Sequence, residues 1–113
     1  MTTKIDKHLP LTESTFFILL SLSAGKKHGY AIMKDVEQLS SGRLSLGTGT
    51  LYGALGRLLD QNWIERTGER NYTGRPRKVY TLSELGRRIL SAETSRLKAQ
   101  LGAAQQRLAQ GLL

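Results

Sequence analysis

The chain contains no cysteine. Disulfide frameworks and thiolate-bound metals are therefore excluded, and a reducing, cytoplasmic setting is expected. Histidine is almost as scarce: His8 and His28 are the only two, and they are distant in sequence. With no placed Ser/His/Asp triad and no carboxylate pair, these residues offer no catalytic constellation; no enzyme, metal or resident cofactor is expected. Long apolar runs are missing too. Phe16 to Ala24 falls short of the roughly 20 residues that span a bilayer. Asp6, Pro10 and Glu13 argue against a secretory leader, so Asn71-Tyr72-Thr73 is not read as a glycosylation site. Gly42 and Gly47 have the spacing of a phosphate loop, but Thr48-Gly49 stands where Lys-Ser/Thr is required, which removes a nucleotide-triphosphate site.

Acids are the last shortage. Nine Asp and Glu face seventeen Lys and Arg, leaving a net charge of +8 and a pI near 10.2. A chain this basic points to a polyanion, nucleic acid before membrane.

What is present reads as one compact domain of 113 residues with an added helix. Residues 1–10 form a flexible arm. Thr12 caps a helix running to about Ala24, which Gly25 ends. A second helix spans Gly29 to Leu39 on the stripe Ile32, Met33, Val36 and Leu39. A third starts at a Thr48 cap and runs to about Gln61, with Asn62 as its stop. Its Leu51, Leu55, Leu58 and Leu59 form an apolar back, opposed by small, hydroxylated or cationic residues. Trp63–Thr67 and Lys78–Leu82 alternate as strands. Between and beside them, residues 66–78 carry five cations against Glu69, a net +4. Ser83 caps a final helix of about 25 residues, or about 38 Å. Its Ile89, Leu90, Leu97, Leu101, Ala104 and Leu108 are assigned to dimerisation, with heptad-like spacing from Leu97.

The expected fold is mainly α (α+β): a winged helix-turn-helix of three helices and a two-stranded wing over residues 11–82. A long C-terminal dimerisation helix, 83–113, follows it. In such motifs the second helix enters the major groove with its N-terminal residues on base edges and phosphates. Open N–H groups at Thr48 to Leu51 suit a phosphate. Arginines on the wing suit a narrow, negative groove.

Four stretches carry a family resemblance: Leu11-Thr12-Glu13…Phe16…Ile18-Leu19, His28-Gly29-Tyr30-Ala31-Ile32, Gly47-Thr48-Gly49-Thr50-Leu51-Tyr52…Leu55…Leu58, and Arg77-Lys78-Val79-Tyr80-Thr81-Leu82-Ser83…Gly86. In this order they resemble the PadR family of transcriptional regulators, in its short form with a single C-terminal helix. The resemblance implies a homodimeric repressor on a pseudo-palindromic stretch of double-stranded DNA, often released by a small aromatic or drug-like effector. Thr48, Thr50 and Tyr52 match its recognition-helix motif, with Tyr52 as a phosphate contact or packed on the wing. Tyr30 matches a second-helix tyrosine whose hydroxyl also touches phosphate, and His28 reads as a cap.

The expected DNA-binding set is Tyr30, Thr48, Gly49, Thr50, Tyr52, Gly53, Arg57, Arg70, Arg75, Arg77 and Lys78. Gly53 and Gly56 depart from relatives that carry larger or basic residues, which leaves Arg57 as the only long cation on the third helix. Direct base readout is then thin, and phosphate contacts and DNA shape carry more. No aromatic residue lies on the last helix, so an effector site would draw on Leu97, Leu101 and Phe16 or Phe17. The competing reading, a non-specific architectural or nucleoid protein, uses the same charge without specificity.

Overall fold

The computed structural model describes residues 4–70, 74 and 76–111. After a single 3-10 turn (Asp6–His8) come α1 (Glu13–Ser23), β1 (Lys27–His28), α2 (Gly29–Leu39), α3 (Thr48–Asp60), β2 (Ile64–Arg70), β3 (Pro76–Leu82) and α4 (Glu84–Ala109).

Local chemistry sets the helix ends. Thr12 accepts the Thr15 N–H at 3.2 Å, and His28 Nδ1 accepts that of Ala31 at 3.4 Å. Ser83 accepts the Gly86 N–H at 3.0 Å and donates to the Asn62 carbonyl at 2.6 Å. At α3 the expected cap is displaced by one residue. Thr48 is already helical, and Gly47 stands at the cap with no side chain to bond. Helices α2 and α3 close the same way, through left-handed Ser41 (φ 55) and Asn62 (φ 62). The N–H of Gly42 reaches the Glu37 carbonyl at 2.8 Å, and that of Trp63 reaches Leu58 at 3.0 Å. This 6→1 bond satisfies carbonyls the helix leaves open.

The sheet is antiparallel in the order β1-β3-β2. Pairing runs from Ile64 opposite Leu82 to Arg70 opposite Pro76. Strand β1 adds Lys27 opposite Tyr80 and His28 opposite Val79. The sheet thus has three strands where two were expected, because a two-residue strand is too short to show alternation. Lys27 pins it by donating to the Ser21 carbonyl at 2.6 Å and pairing with Asp35 at 3.8 Å.

The core joins Ile18, Leu19 and Leu22 of α1, Ile32 and Val36 of α2, and Leu51, Leu55 and Leu58 of α3. Trp63, Ile64, Tyr80 and Leu82 close it from the sheet. Leu39, expected in the α2 stripe, is 41% exposed at the end of its helix. Two larger expectations are corrected. Residues 5–11 are not a loose arm: Ile5, Leu9 and Leu11 pack on the core, and the His8 ring meets Trp63 edge-on at 5.3 Å. Ile89 and Leu90, assigned to dimerisation, are 0% and 7% exposed within their own protomer. The first part of α4 must cover α1 and the sheet before the helix is free to leave, so those two side chains are consumed locally. Beyond Glu93 the helix projects from the domain, and the chain with it extends over 61 × 33 × 22 Å.

Gly86 makes that docking possible. A Cβ there would overlap the Trp63 carbonyl oxygen and press on Leu82. The obstacle is backbone, so it cannot step aside. Gly86→Ala is expected to destabilise the fold by about 3 kcal/mol, read as a lower urea midpoint with an unchanged m-value.

Candidate nucleic-acid interface

Helix α3 turns Leu51, Ala54, Leu55 and Leu58 into the core. The opposite ridge is Gly49, Gly53, Gly56 and Asp60, all exposed. Their i, i+4, i+7, i+11 spacing follows one side of the helix. Thr48 and Tyr52 flank the ridge on one side, Thr50, Arg57 and Gln61 on the other, and all are exposed. The outermost surface of α3 is therefore nearly bare backbone, with its polar side chains set to either side.

Neither Gly53 nor Gly56 is required by the fold. A Cβ at Gly56 would meet nothing within 4 Å, and one at Gly53 would meet only the Arg57 guanidinium at 3.9 Å. Gly53→Ala and Gly56→Ala are each expected to raise stability by about 1 kcal/mol, since Ala is the better helix former. Urea denaturation measures that gain. A second readout, affinity for duplex DNA, is expected to fall for both, because a methyl group on this ridge holds the helix away from a groove.

The N-terminal turn of α3 is chemically open. Gly47 supplies no side-chain cap, and the first helical bond is the Leu51 N–H to the Gly47 carbonyl at 2.9 Å. The N–H groups of Thr48, Gly49 and Thr50 therefore face outward at the positive end of the helix dipole, as an anion site requires. The Leu51 N–H, expected in that set, is already used.

Tyr52 is 44% exposed, and its hydroxyl and ring edge lie where a Cβ on Gly29 would stand. Gly29 thus lets α2 and α3 approach with the tyrosine between them. Behind Tyr52 is Tyr80, whose hydroxyl is raised above its ordinary pKa, first by burial and then by Tyr52; the Arg66 side chain hydrogen-bonds it and works the other way. Arg66 stands directly across the ladder from Tyr80. Both packing and outward exposure hold for Tyr52. Sequence reasoning missed Arg66 and Tyr80 as the residues that seat it. Cross-strand pairing was the signal that could have found them, but it needs the register, which turn residues alone did not give.

Tyr30, at the start of α2, is 61% exposed, with the Lys34 ammonium over its ring at 5.6 Å. It follows Gly29, on which Tyr52 packs, and its side chain lines a shallow cleft with Met33, Lys34, Glu37, Ser45 and Leu46. Lys78 is exposed on β3, opposite Gly68. Arg70 and Arg77 fall at the outer ends of β2 and β3, with Arg77 opposite Glu69 and Arg70 opposite Pro76. Arg75 lies outside the described residues. On α4, Leu97, Leu101 and Leu108 are 36%, 57% and 52% exposed, and Ala104 is exposed with them. No helix among the described residues is long and apolar enough to cross a membrane.

Comparison with known proteins agrees with this fold. A PadR family transcription regulator from Clostridium difficile superposes with a TM-score of 0.73 at 24% identity, covering 86% of this chain and 99% of that one. Bacillus subtilis PadR, solved in complex with operator DNA, gives 0.62 at 26% identity, covering 69% and 45%. An uncharacterized 37.1 kDa protein of a Streptomyces fradiae transposon is 38% identical over 81 residues, 72% of this chain. The chain spans only 22% of that relative's length. The profile of the transcriptional regulator PadR-like family matches residues 18–92, through α1, the sheet and the buried start of α4. The chain therefore belongs to the PadR-like family of transcriptional regulators.

Proposed function

We propose that the protein is a homodimeric repressor that binds a pseudo-palindromic stretch of double-stranded DNA through α3 and the β2–β3 wing. The observation that carries this reading is the uncapped, outward-facing start of α3, with Tyr30 and Tyr52 beside it and exposed Lys78 on the wing. The operator complex of the Bacillus subtilis relative supports it. Residues 11–82 then read DNA, and α4 beyond Glu93 joins two copies. Thr48, Gly49 and Thr50 receive a phosphate on their N–H groups, and Tyr52 and Tyr30 add hydroxyls. Arg57 reaches a base edge, while Arg70, Arg75, Arg77 and Lys78 follow the backbone. A small aromatic effector would fit the cavity of about 290 Å³ lined by Phe16, Phe17, Leu97 and Arg96 between α1 and α4.

The deciding experiment is a gel shift on a duplex selected by the protein from a random library, with scrambled duplex as competitor. A discrete complex that survives competitor is expected. Uniform coating of any duplex, in proportion to its length, would instead mark a nucleoid protein. Arg57→Ala should cut the preference for the selected duplex about tenfold, the lower part of the range for a base contact. Arg75→Ala with Arg77→Ala should weaken both duplexes alike. An Arg57→Ala protein that kept its full preference would remove α3 as the reader.

A further inference from the structure

Among the described residues Glu93 is the only charged side chain in the buried set, at 1% exposure. Its Oε1 accepts Arg96 Nε at 2.5 Å. Its Oε2 accepts Arg96 Nη2 at 3.2 Å and the backbone N–H of Leu11 at 2.8 Å. The Arg96 hydrogen bonds hold the carboxyl below its ordinary range against the opposing effect of burial, so it is ionised at neutral pH. A buried ion pair of this kind adds little net stability when both partners are exchanged for apolar groups, whereas removing one partner alone leaves the other unpaired and is destabilising. What it does fix is geometry.

The Leu11 amide ends a strap, residues 5–11, whose other anchor is the His8 ring on Trp63. Trp63 follows directly on the closing turn of α3. The strap is thereby tied at one end to α4 and at the other to the corner where α3 meets β2. Between strap and α3 lies a cleft of about 240 Å³, with His8, Pro10 and Leu11 on one wall and Arg57, Leu58 and Gln61 on the other. Among the described residues the Arg57 guanidinium has no hydrogen bond or ion pair. Its orientation depends on the walls around it.

We propose that Glu93 is a positioning residue for DNA recognition: by holding the strap against α3 it confines the Arg57 side chain to the outer side of the helix. The proposal rests on the reading of Arg57 as a base contact. It places the control of discrimination at the elbow where α4 leaves the domain, and Leu11 lines both the Arg57 cleft and the apolar cavity beside Leu97.

The test uses the full chain, the selected and scrambled duplexes, and hydrogen exchange at the amides of residues 5–11. In Glu93→Leu, exchange across the strap is expected to rise at least tenfold through local opening. The ratio of affinities for selected over scrambled duplex should fall about tenfold, with the scrambled duplex bound as before. Glu93→Gln, which keeps an acceptor for Leu11, should stay within about threefold of wild type, the discrimination range that loss of a weak contact spans. His8→Ala loosens the other anchor at a half-exposed site and should shift discrimination the same way, which keeps the test intact if Glu93→Leu does not fold. In an Arg57→Ala background Glu93→Leu should have no further effect. A mobile strap with discrimination intact overturns the proposal, as do additive losses in the double variant. If Arg57→Ala alone changes nothing, the base-contact reading fails and the positioning role falls with it. If Arg57→Ala loses discrimination while Glu93→Leu and His8→Ala do not, only the positioning role fails.

Discussion

Raising salt from 50 to 200 mM is expected to weaken binding to the selected duplex about 10³-fold. The size follows from the distribution of charge. On the proposed interface each protomer would offer Arg70, Arg75, Arg77 and Lys78 to the backbone; with about three of the four on phosphate in each protomer, a dimer would neutralise roughly 6 phosphates, and each released counterion adds about 0.9 to the logarithmic slope. The Thr48–Thr50 amides, holding a phosphate as proposed, would do so without a side-chain cation and would add affinity that salt hardly touches. Replacing Arg75 and Arg77 by Ala in both protomers should therefore flatten the slope by about 4, one per lost phosphate contact. Gly53→Ala should lower affinity and leave the slope alone. Anisotropy titrations at several salt concentrations separate these terms. A slope near zero for the wild type would mean that the net charge of +8 is not what meets the partner.

The residues that carry periodicity or capping chemistry were readable without coordinates. Gly29–Leu39 has the bounds read from its stripe, because Ile32 and Val36 repeat at helical spacing and a histidine precedes them as cap. Asn62 was readable as a stop, since few residues other than glycine tolerate the left-handed turn it makes. Contacts between segments distant in sequence were not readable. Nothing local to Asp6-Lys7-His8 says that its ring will find Trp63, and a polar, charged start has the composition of a solvated arm. Ile89 and Leu90 failed for a related reason. A single stripe along α4 serves the protomer up to Glu93 and faces outward beyond it, and periodicity does not mark where the function of a stripe changes.

The interface divides in the same way. Exposed Thr48, Thr50 and Arg57 follow from helical phase, and so does Tyr30 at the head of α2. The glycine ridge was half seen. Gly53 and Gly56 were recognised as losses of side chain, but only the burial of α3 aligns them with Gly49 and Asp60 on the outermost face. Tyr80 and Arg66 were hidden, because seating Tyr52 requires three elements at once: the head of α2, the first turn of α3 and the paired strands.

Leu101→Asp is expected to convert the protein to a monomer and to lower affinity for the selected duplex by 10²- to 10⁴-fold, roughly the range by which linkage of two sites exceeds either alone. Leu101 is 57% exposed and touches no part of the described core, so the protomer should keep its fold and its unfolding midpoint. In the dimer the new carboxylate would enter an apolar seam, where an unpaired charge is strongly disfavoured. The charges around the seam sharpen the test. After Glu93 the chain has Arg96, Lys98 and Arg107 and no acidic side chain, so two copies of this helix would repel one another in water, and the proposed dimer would have to be held by Leu97, Leu101, Ala104 and Leu108. Salt screens that repulsion, and dimerisation should therefore strengthen as salt rises while DNA binding weakens. Sedimentation equilibrium measures the first and anisotropy the second. A Leu101→Asp protein that sediments as a dimer would place the interface elsewhere. One that is monomeric yet binds the duplex with full affinity would show that a single α3 and wing suffice, and that the two half-sites do not act together.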